Sequence, residues 1–233
     1  MTDRVRPVAL ITGGARGIGL AVAEKLAHDH HLLIGGRDPE RCAEVAASFP
    51  SAEPWPVDLG EARAVEAAAQ GIERLDVLVH SAGIAGGAPV AEMTRDQWTS
   101  MLATNVVAVA DLTRLALPAL RAARGLVVLI GSGAALRAAP GSSAYSASKA
   151  ALQAFGDALR EEERGAIRVT VLHPGRVDTD MQVRLQQRAG RDYNPDEHLR
   201  PESVAAGVRL AVDATPEASV DTLIIRPVVG QLR

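Results

Sequence analysis

Tyr145 and Lys149 stand four residues apart in Tyr145-Ser-Ala-Ser-Lys149. On a helix that spacing puts a phenol and an ammonium on one face, where the cation favours phenolate and draws its pKa from about 10 toward the range a general acid or base needs. Chance accounts poorly for the pair: the chain has two tyrosines, and of its 25 lysines and arginines only Lys25 and Lys149 are lysines. Thirteen positions earlier, Ser132 follows the apolar run Leu126–Ile130. Its hydroxyl could hold a carbonyl oxygen, the ordinary alternative being a strand-end turn.

A second constellation is Thr12-Gly-Gly-Ala-Arg-Gly-Ile-Gly19, preceded by the apolar run Val8–Ile11 and followed by a helical pattern from about Gly17. Glycines let backbone approach a pyrophosphate, and a helix N-terminus offers free N–H groups and a favourable dipole. The spacing is G-x-x-x-G-x-G through Gly13, Gly17 and Gly19, not the general G-x-G-x-x-G. Gly13, Arg16, Gly17, Ile18 and Gly19 are therefore candidate cofactor contacts. The next apolar run ends in Gly36-Arg37-Asp38. An NAD site normally carries an acid here for the ribose hydroxyls. With Gly36 in that position, Arg37 can grip a 2′-phosphate with its planar fork and Arg16 can assist, so NADP(H) is expected over NAD(H). Asp38 either serves as a ribose carboxylate or caps the helix that Pro39 opens.

These residues need a scaffold, and the apolar pattern supplies one. Short runs at Pro7–Ile11, His31–Ile34, Trp55–Val57, Leu75–Val79, Leu126–Ile130, Ile167–Leu172 and Thr222–Ile225 predict about seven strands. Helical spacing predicts helices at Gly17–His28, Pro39–Ser48, Glu61–Ile72, Arg95–Ala122, Ser143–Arg164 and Pro201–Asp213, with a short one near Asp180–Ala189. Near-continuous apolar strands imply burial on both faces, as in a doubly wound parallel α/β sheet with helices on each side. No linker or repeat divides the chain, so a single domain is expected, with the irregular segment 176–200 as a substrate lid.

Composition removes other classes. With 25 basic against 28 acidic residues the formal charge is −3, which leaves no basic excess for nucleic acid. The longest uncharged stretch, Val77 to Ala91, is broken by glycine and proline and lacks the roughly 18 apolar residues of a spanning helix. The residues after Met1 carry no signal-peptide core, and Cys42 has no second cysteine to pair with, so a cytoplasmic location is expected. His28, His30 and His31 cluster at a helix end without metal-ligand spacing, and no metal is expected. Glu161-Glu-Glu163 reads as a solvated helix face.

In order, these motifs resemble the short-chain dehydrogenase/reductase superfamily along essentially the whole chain: Thr12–Gly19, Asp58-Leu59, Ser81-Ala-Gly83, Asn105, Ser132, Tyr145 with Lys149, and Pro174-Gly-Arg-Val-Asp-Thr179. The resemblance implies a hydride-transferring oxidoreductase of ketones or secondary alcohols with Tyr145 as acid/base. It implies that Lys149 binds the nicotinamide ribose, that Ser132 orients the carbonyl, and that Asn105 anchors a water beside Lys149. It further implies that Asp58 and Leu59 contact the adenine, that Ser81, Ala82 and Gly83 line the cofactor, and that Pro174, Gly175, Val177 and Thr179 hold the nicotinamide end. Family members usually have N-A-G where this chain has Ser81-Ala-Gly83, which loses an amide's paired donor and acceptor at the fourth strand. A cofactor-binding regulator or scaffold without catalysis is the alternative, since fold alone does not fix activity.

For the substrate, Leu136, Met181 and Leu185 point to an uncharged ketone, whereas Arg184, Arg188 and Arg191 could meet an acidic group or an acyl-carrier partner. The segment Asn105 to Leu120 is apolar on more than one face, and small residues at Ala147, Ala150, Ala151, Ala154 and Ala158 allow close helix approach. A homodimer or homotetramer built on these helices is expected.

Overall fold

The computed structural model describes residues 6–188, 190 and 192–228, without the side chain of Arg188. Seven strands form one parallel sheet: β1 Val8–Thr12, β2 His31–Gly36, β3 Ala52–Pro56, β4 Val77–His80, β5 Leu126–Ile130, β6 Arg168–Pro174 and β7 Thr222–Ile225. Their order is β3-β2-β1-β4-β5-β6-β7. The chain therefore reverses its direction of winding between β1 and β4, which pair with Thr12 opposite His80. A crevice opens beyond the carboxyl ends of the strands at such a point.

Two-residue alternation divides the core into two layers. Ala9, Ile11, Val77, Val79, Val128 and Ile130 face α1 Gly17–Leu26, α2 Pro39–Ala47 and α8 Pro201–Val212. Leu10, Leu78, Val127 and Leu129 face the opposite layer, which includes α3 Ala62–Gln70, α5 Ala108–Ala123 and α6 Ser143–Glu162. Burial on both faces explains why β5 reads as an unbroken apolar run. Asp38 caps α2, its carboxylate accepting from the Arg41 amide. That was the second of the two uses open to it.

The helix expected over Arg95–Ala122 is interrupted. It runs as α4 Arg95–Leu102, a π-helical turn Ala103–Val107 and α5, with Ala108 N–H donating to Ala103 five residues back. Asn105 sits within that wide turn and is buried. The 176–200 segment contains α7 Asp180–Arg188 and a short 3₁₀ turn, Pro195–Glu197. Its base is fastened where Val177 pairs with Leu199. Ala189 and Arg191, in or beside the helix expected there, lie outside the described residues. Glu163 corrects the solvated-face expectation: it is 7% exposed and its carboxylate receives the Arg121 guanidinium, while Glu161 pairs with Arg164 at the surface. No helix among the described residues is long and apolar enough to cross a membrane.

Gly156 lets α6 approach the sheet, because a Cβ there would lie 2.5 Å from Val171 Cγ2 and 2.9 Å from Leu129 Cδ1. Alanine would gain about 1 kcal/mol in helix propensity but would overpack a rigid β-branched neighbour, which costs about 1–3 kcal/mol. Gly156→Ala is thus expected to lower the unfolding free energy in urea, and a stabilised variant would show that α6 does not pack this closely.

Candidate active site

Two adjoining cavities occupy the crevice at the strand ends. The first, about 860 Å³, is lined by Gly13, Arg16, Gly17 and Ile18 of the glycine turn, by Arg37 after β2, by Asp58 and Leu59 after β3, and by Ser81, Ala82 and Gly83 after β4. The second, about 730 Å³, holds Ser132, Tyr145, Lys149, Pro174, Gly175 and Val177. Thr179 and Met181 border both.

The glycine turn is shaped by contact. Gly13 has φ +66°, and a Cβ there would lie 3.1 Å from the Ala82 backbone. Gly19 does not line the cleft; a Cβ on it would come within 2.2 Å of the Gly13 carbonyl oxygen. Its lack of a side chain allows the turn to fold onto α1. Arg16 precedes α1 without a side-chain cap, and the first turn carries no acid, so the amide groups and dipole there are open to an anion. These features fit a dinucleotide pyrophosphate.

At the β2 end, a Cβ on Gly36 would fall 2.7 Å from the buried Cys42 Sγ. An acidic side chain has no room there. Asp38 is engaged in capping, Arg41 pairs with Glu44 at 2.7 Å, and Asp58 Oδ1 accepts from the Gly60 amide. Arg16 and Arg37 form no ion pair among the described residues and are exposed at the cleft.

Thr12 answers the question raised by Ser81. Its hydroxyl oxygen accepts from the amides of Ser81 and Ala82, each at 3.1 Å, and donates to the Val79 carbonyl at 3.4 Å. The end of β4 is therefore braced from β1.

In the second cavity, α6 delivers Tyr145 and Lys149, and the loop after β5 delivers Ser132. Lys149 Nζ donates to the Ile130 carbonyl at 2.8 Å and lies 6.0 Å from the Tyr145 ring centre. Burial pulls its ammonium down to about 8. The expected lowering of the phenol is not met: burial holds Tyr145 above its ordinary value, and only the hydrogen bond with Ser132 works against that. Desolvation sets the direction because burial penalises the phenolate.

Asn105 lines neither cavity. Its Oδ1 accepts from the Ile84 amide at 2.9 Å, while Nδ2 donates to the Ile84 carbonyl at 2.9 Å and to Ser148 Oγ at 3.0 Å. It stands behind Gly83, where a Cβ would meet Asn105 Oδ1 at 3.1 Å and Lys149 Nζ at 3.8 Å. The residue fixes the segment after β4 against α6.

Several expectations about the walls change. Leu136 is exposed and lines neither cavity, whereas Met181 and Leu185 do line the second. Arg184 faces the first cavity, not the second; the Arg188 side chain and Arg191 lie outside the described residues. Arg137 and Arg176, the latter opening the lid segment expected at 176–200, line the second cavity, as does Arg226, which was not anticipated. Arg137 follows the Ser132 loop closely enough that its position alone was a usable signal, but Arg226, after β7, had none. His173, at the end of β6, lies 2.9 Å from the Ser132 carbonyl oxygen. No cluster of potential metal ligands occurs among the described residues.

A family model described as short chain dehydrogenase matches residues 7–190. A short-chain type dehydrogenase/reductase from Sinorhizobium fredii is 34% identical over 232 residues, which cover 97% of this chain and 92% of that protein. An alcohol dehydrogenase from the archaeon Thermococcus sibiricus, solved in complex with 5-hydroxy-NADP, superposes with a TM-score of 0.88 at 25% identity, covering 98% of this chain and 99% of that one. A metagenomic short-chain oxidoreductase in complex with NADP gives 0.80 at 28% identity over 97% and 99% of the two chains.

Proposed function

This chain belongs to the short-chain dehydrogenase/reductase superfamily, and on that footing we propose that it is an NADP(H)-dependent oxidoreductase interconverting a ketone and a secondary alcohol. The observation that carries the reading is Ser132, Tyr145 and Lys149 gathered at one cavity that adjoins the glycine-lined cleft. When bound, the nicotinamide supplies the hydride in reduction and takes it in oxidation. In reduction, the Tyr145 hydroxyl gives its proton to the carbonyl oxygen, and Ser132 holds that oxygen by a hydrogen bond. Lys149, charged below about pH 8, stabilises the phenolate that remains and reaches the nicotinamide ribose. Asn105 holds the Ile84 backbone beside Lys149, the place from which a water would return the proton.

Gly13, Gly17 and Ile18 would face the pyrophosphate, Asp58 and Leu59 the adenine, and Ser81, Ala82 and Gly83 the middle of the cofactor. Pro174, Gly175, Val177 and Thr179 would face the nicotinamide. Preference for the 2′-phosphate is supported by the unpaired Arg16 and Arg37 and by Cys42 denying space to an acid at Gly36. A free guanidinium fork suits a phosphate, and the site offers no carboxylate in the NAD position. The whole chain would act as one cytoplasmic domain, with 176–200 as the lid through Met181, Gln182 and Leu185.

The substrate cavity combines apolar surface from Ile84, Met181 and Leu185 with a cationic rim of Arg137, Arg176 and Arg226, and its lining includes no aspartate or glutamate. Arg176 has Glu197 3.7 Å away; Arg137 and Arg226 form no ion pair among the described residues. This favours a carbonyl compound with an acidic group beyond the carbonyl over the uncharged ketone that the apolar residues alone pointed to. For assembly, Val107 is 62% exposed on the helix after Asn105, and Ala147, Ala150, Ala154 and Ala158 are exposed along α6. A dimer or tetramer would cover these faces by close helix packing.

NADPH absorbance with a panel of neutral and carboxylate-bearing ketones tests the activity: turnover is expected, highest with acidic members, and Tyr145→Phe should reduce it at least a hundredfold, on the order general acid catalysis supplies, while NADPH still binds. Tight NADPH binding with no turnover of any member would favour the regulator reading. Arg37→Asp is expected to weaken NADPH binding far more than NADH binding, and equal affinity of the parent protein for both would overturn the cofactor preference. Light scattering during size exclusion should give two or four times the 24.4 kDa chain mass; a stable monomer at micromolar concentration would refute the assembly.

A further inference from the structure

His173 is wholly buried at the end of β6 and lines neither cavity. Its ring nevertheless reaches the site from behind. Nδ1 lies 2.9 Å from the Ser132 carbonyl oxygen and 3.3 Å from the Ser132 amide nitrogen. One ring nitrogen thus borders the peptide groups on both sides of the residue, and because Nε2 carries the proton of the neutral ring, Nδ1 accepts from the Ser132 N–H. Nε2 donates to Gln153 Oε1 at 2.5 Å, and Gln153 Nε2 donates to Asp157 Oδ1 at 2.8 Å. Gln153 and Asp157 lie one and two turns beyond Lys149 on α6. The imidazole therefore joins the loop after β5 to the helix that carries Tyr145 and Lys149.

Gly131 records the same contact. A Cβ there would lie 2.7 Å from His173 Nδ1 and 2.9 Å from Cε1. Its φ is not in the left-handed region, so the glycine answers to the nearness of the ring and not to a backbone demand. Apart from the hydroxyl's bond with the Tyr145 phenol, the other ties on Ser132 are local: its hydroxyl accepts from the Ala134 amide at 3.1 Å, and its carbonyl accepts from the Ala135 amide at 3.0 Å. Neither fixes the loop against α6. The charged groups facing the ring are Lys149 and Asp157, both on α6.

We propose that His173 is a positioning residue for Ser132, clamping its backbone from β6 so that the hydroxyl stays on the Tyr145 phenol. The proposal rests on the reading of Ser132 and Tyr145 as the reacting pair. An apolar core residue at 173 would fill the same space but leave the Ser132 peptide free to turn. A displacement of about 1 Å at a reacting group can cost on the order of a hundredfold in rate.

The phenol itself gives a readout that packing alone would not move. The chain has two tyrosines, so in a Tyr193→Phe background the pH titration of phenolate absorbance reports Tyr145 alone. The Ser132 hydrogen bond lowers that pKa, and Ser132→Ala is expected to raise it. His173→Ala should raise it to the same level, with kcat down ten- to a hundredfold and KM little changed, and His173→Asn, whose amide oxygen can accept from the Ser132 N–H, should restore most of both. Gly131→Ala, which displaces the ring by contact, should reproduce the shift in the parent and add little in His173→Ala. It carries the test if the histidine truncation does not fold. A shift in Ser132→Ala with none in His173→Ala or Gly131→Ala would overturn the proposal and leave the reading of the site standing. No shift in any of them would overturn the Ser132–Tyr145 pairing, and the proposal with it.

Discussion

A buried ammonium is costly unless something accepts its protons, and the catalytic half of this molecule is arranged around one. Lys149 is 7% exposed, with its Nζ on the carbonyl of Ile130. That oxygen closes the strand leading into Ser132, so the contact fixes α6 against β5 at the level of the site. The approach is possible because Gly156, two turns further on, removes the side chain that would keep helix and sheet apart. The cost appears in the lysine's own basicity, which burial reduces to about 8. Charge is thus held next to the phenol by packing, with no neighbouring carboxylate to neutralise it.

The strand ends show the same economy of support. Thr12 ends β1, and through one hydroxyl it orders the two residues after β4 that border the cofactor-shaped cleft. Asn105 orders the next stretch through both faces of its amide. The segment after β4 is held by side chains from two other elements, which is how an irregular segment can present fixed geometry. The two cavities then share Thr179 and Met181, so whatever fills one shapes a wall of the other.

Much of this was legible in the chain because its signals are local. Short apolar runs and helical spacing disclosed all seven strands and the main helices, and Tyr145 with Lys149 disclosed a helix face. Asp38 before Pro39 disclosed a cap. What stayed hidden depends on contacts across long stretches of sequence. Glu163 looked like part of an acidic surface run, but its partner Arg121 comes from α5, 42 residues away. The Thr12 brace spans about the same number of residues as the whole of β1 to β4, 69 to Ser81 and 70 to Ala82. His173 carried no pattern at all, since its meaning lies in a glycine just past the end of the neighbouring strand. The phenol's elevated pKa was missed for a related reason: spacing predicts which groups meet, whereas desolvation depends on everything that surrounds them.

The wide turn at Ala103–Val107 places one residue more in the helix than a regular α-helical path would hold. Each residue advances a helix by about 100°, so α4 and α5 are out of phase with one another by that amount. Loss of a single residue from this stretch would let the backbone return to uniform pitch while rotating every side chain on one side of the break. The segment therefore favours regular hydrogen bonding in one alignment and a seated Asn105 in the other, and its length in residues is itself part of the site's specification.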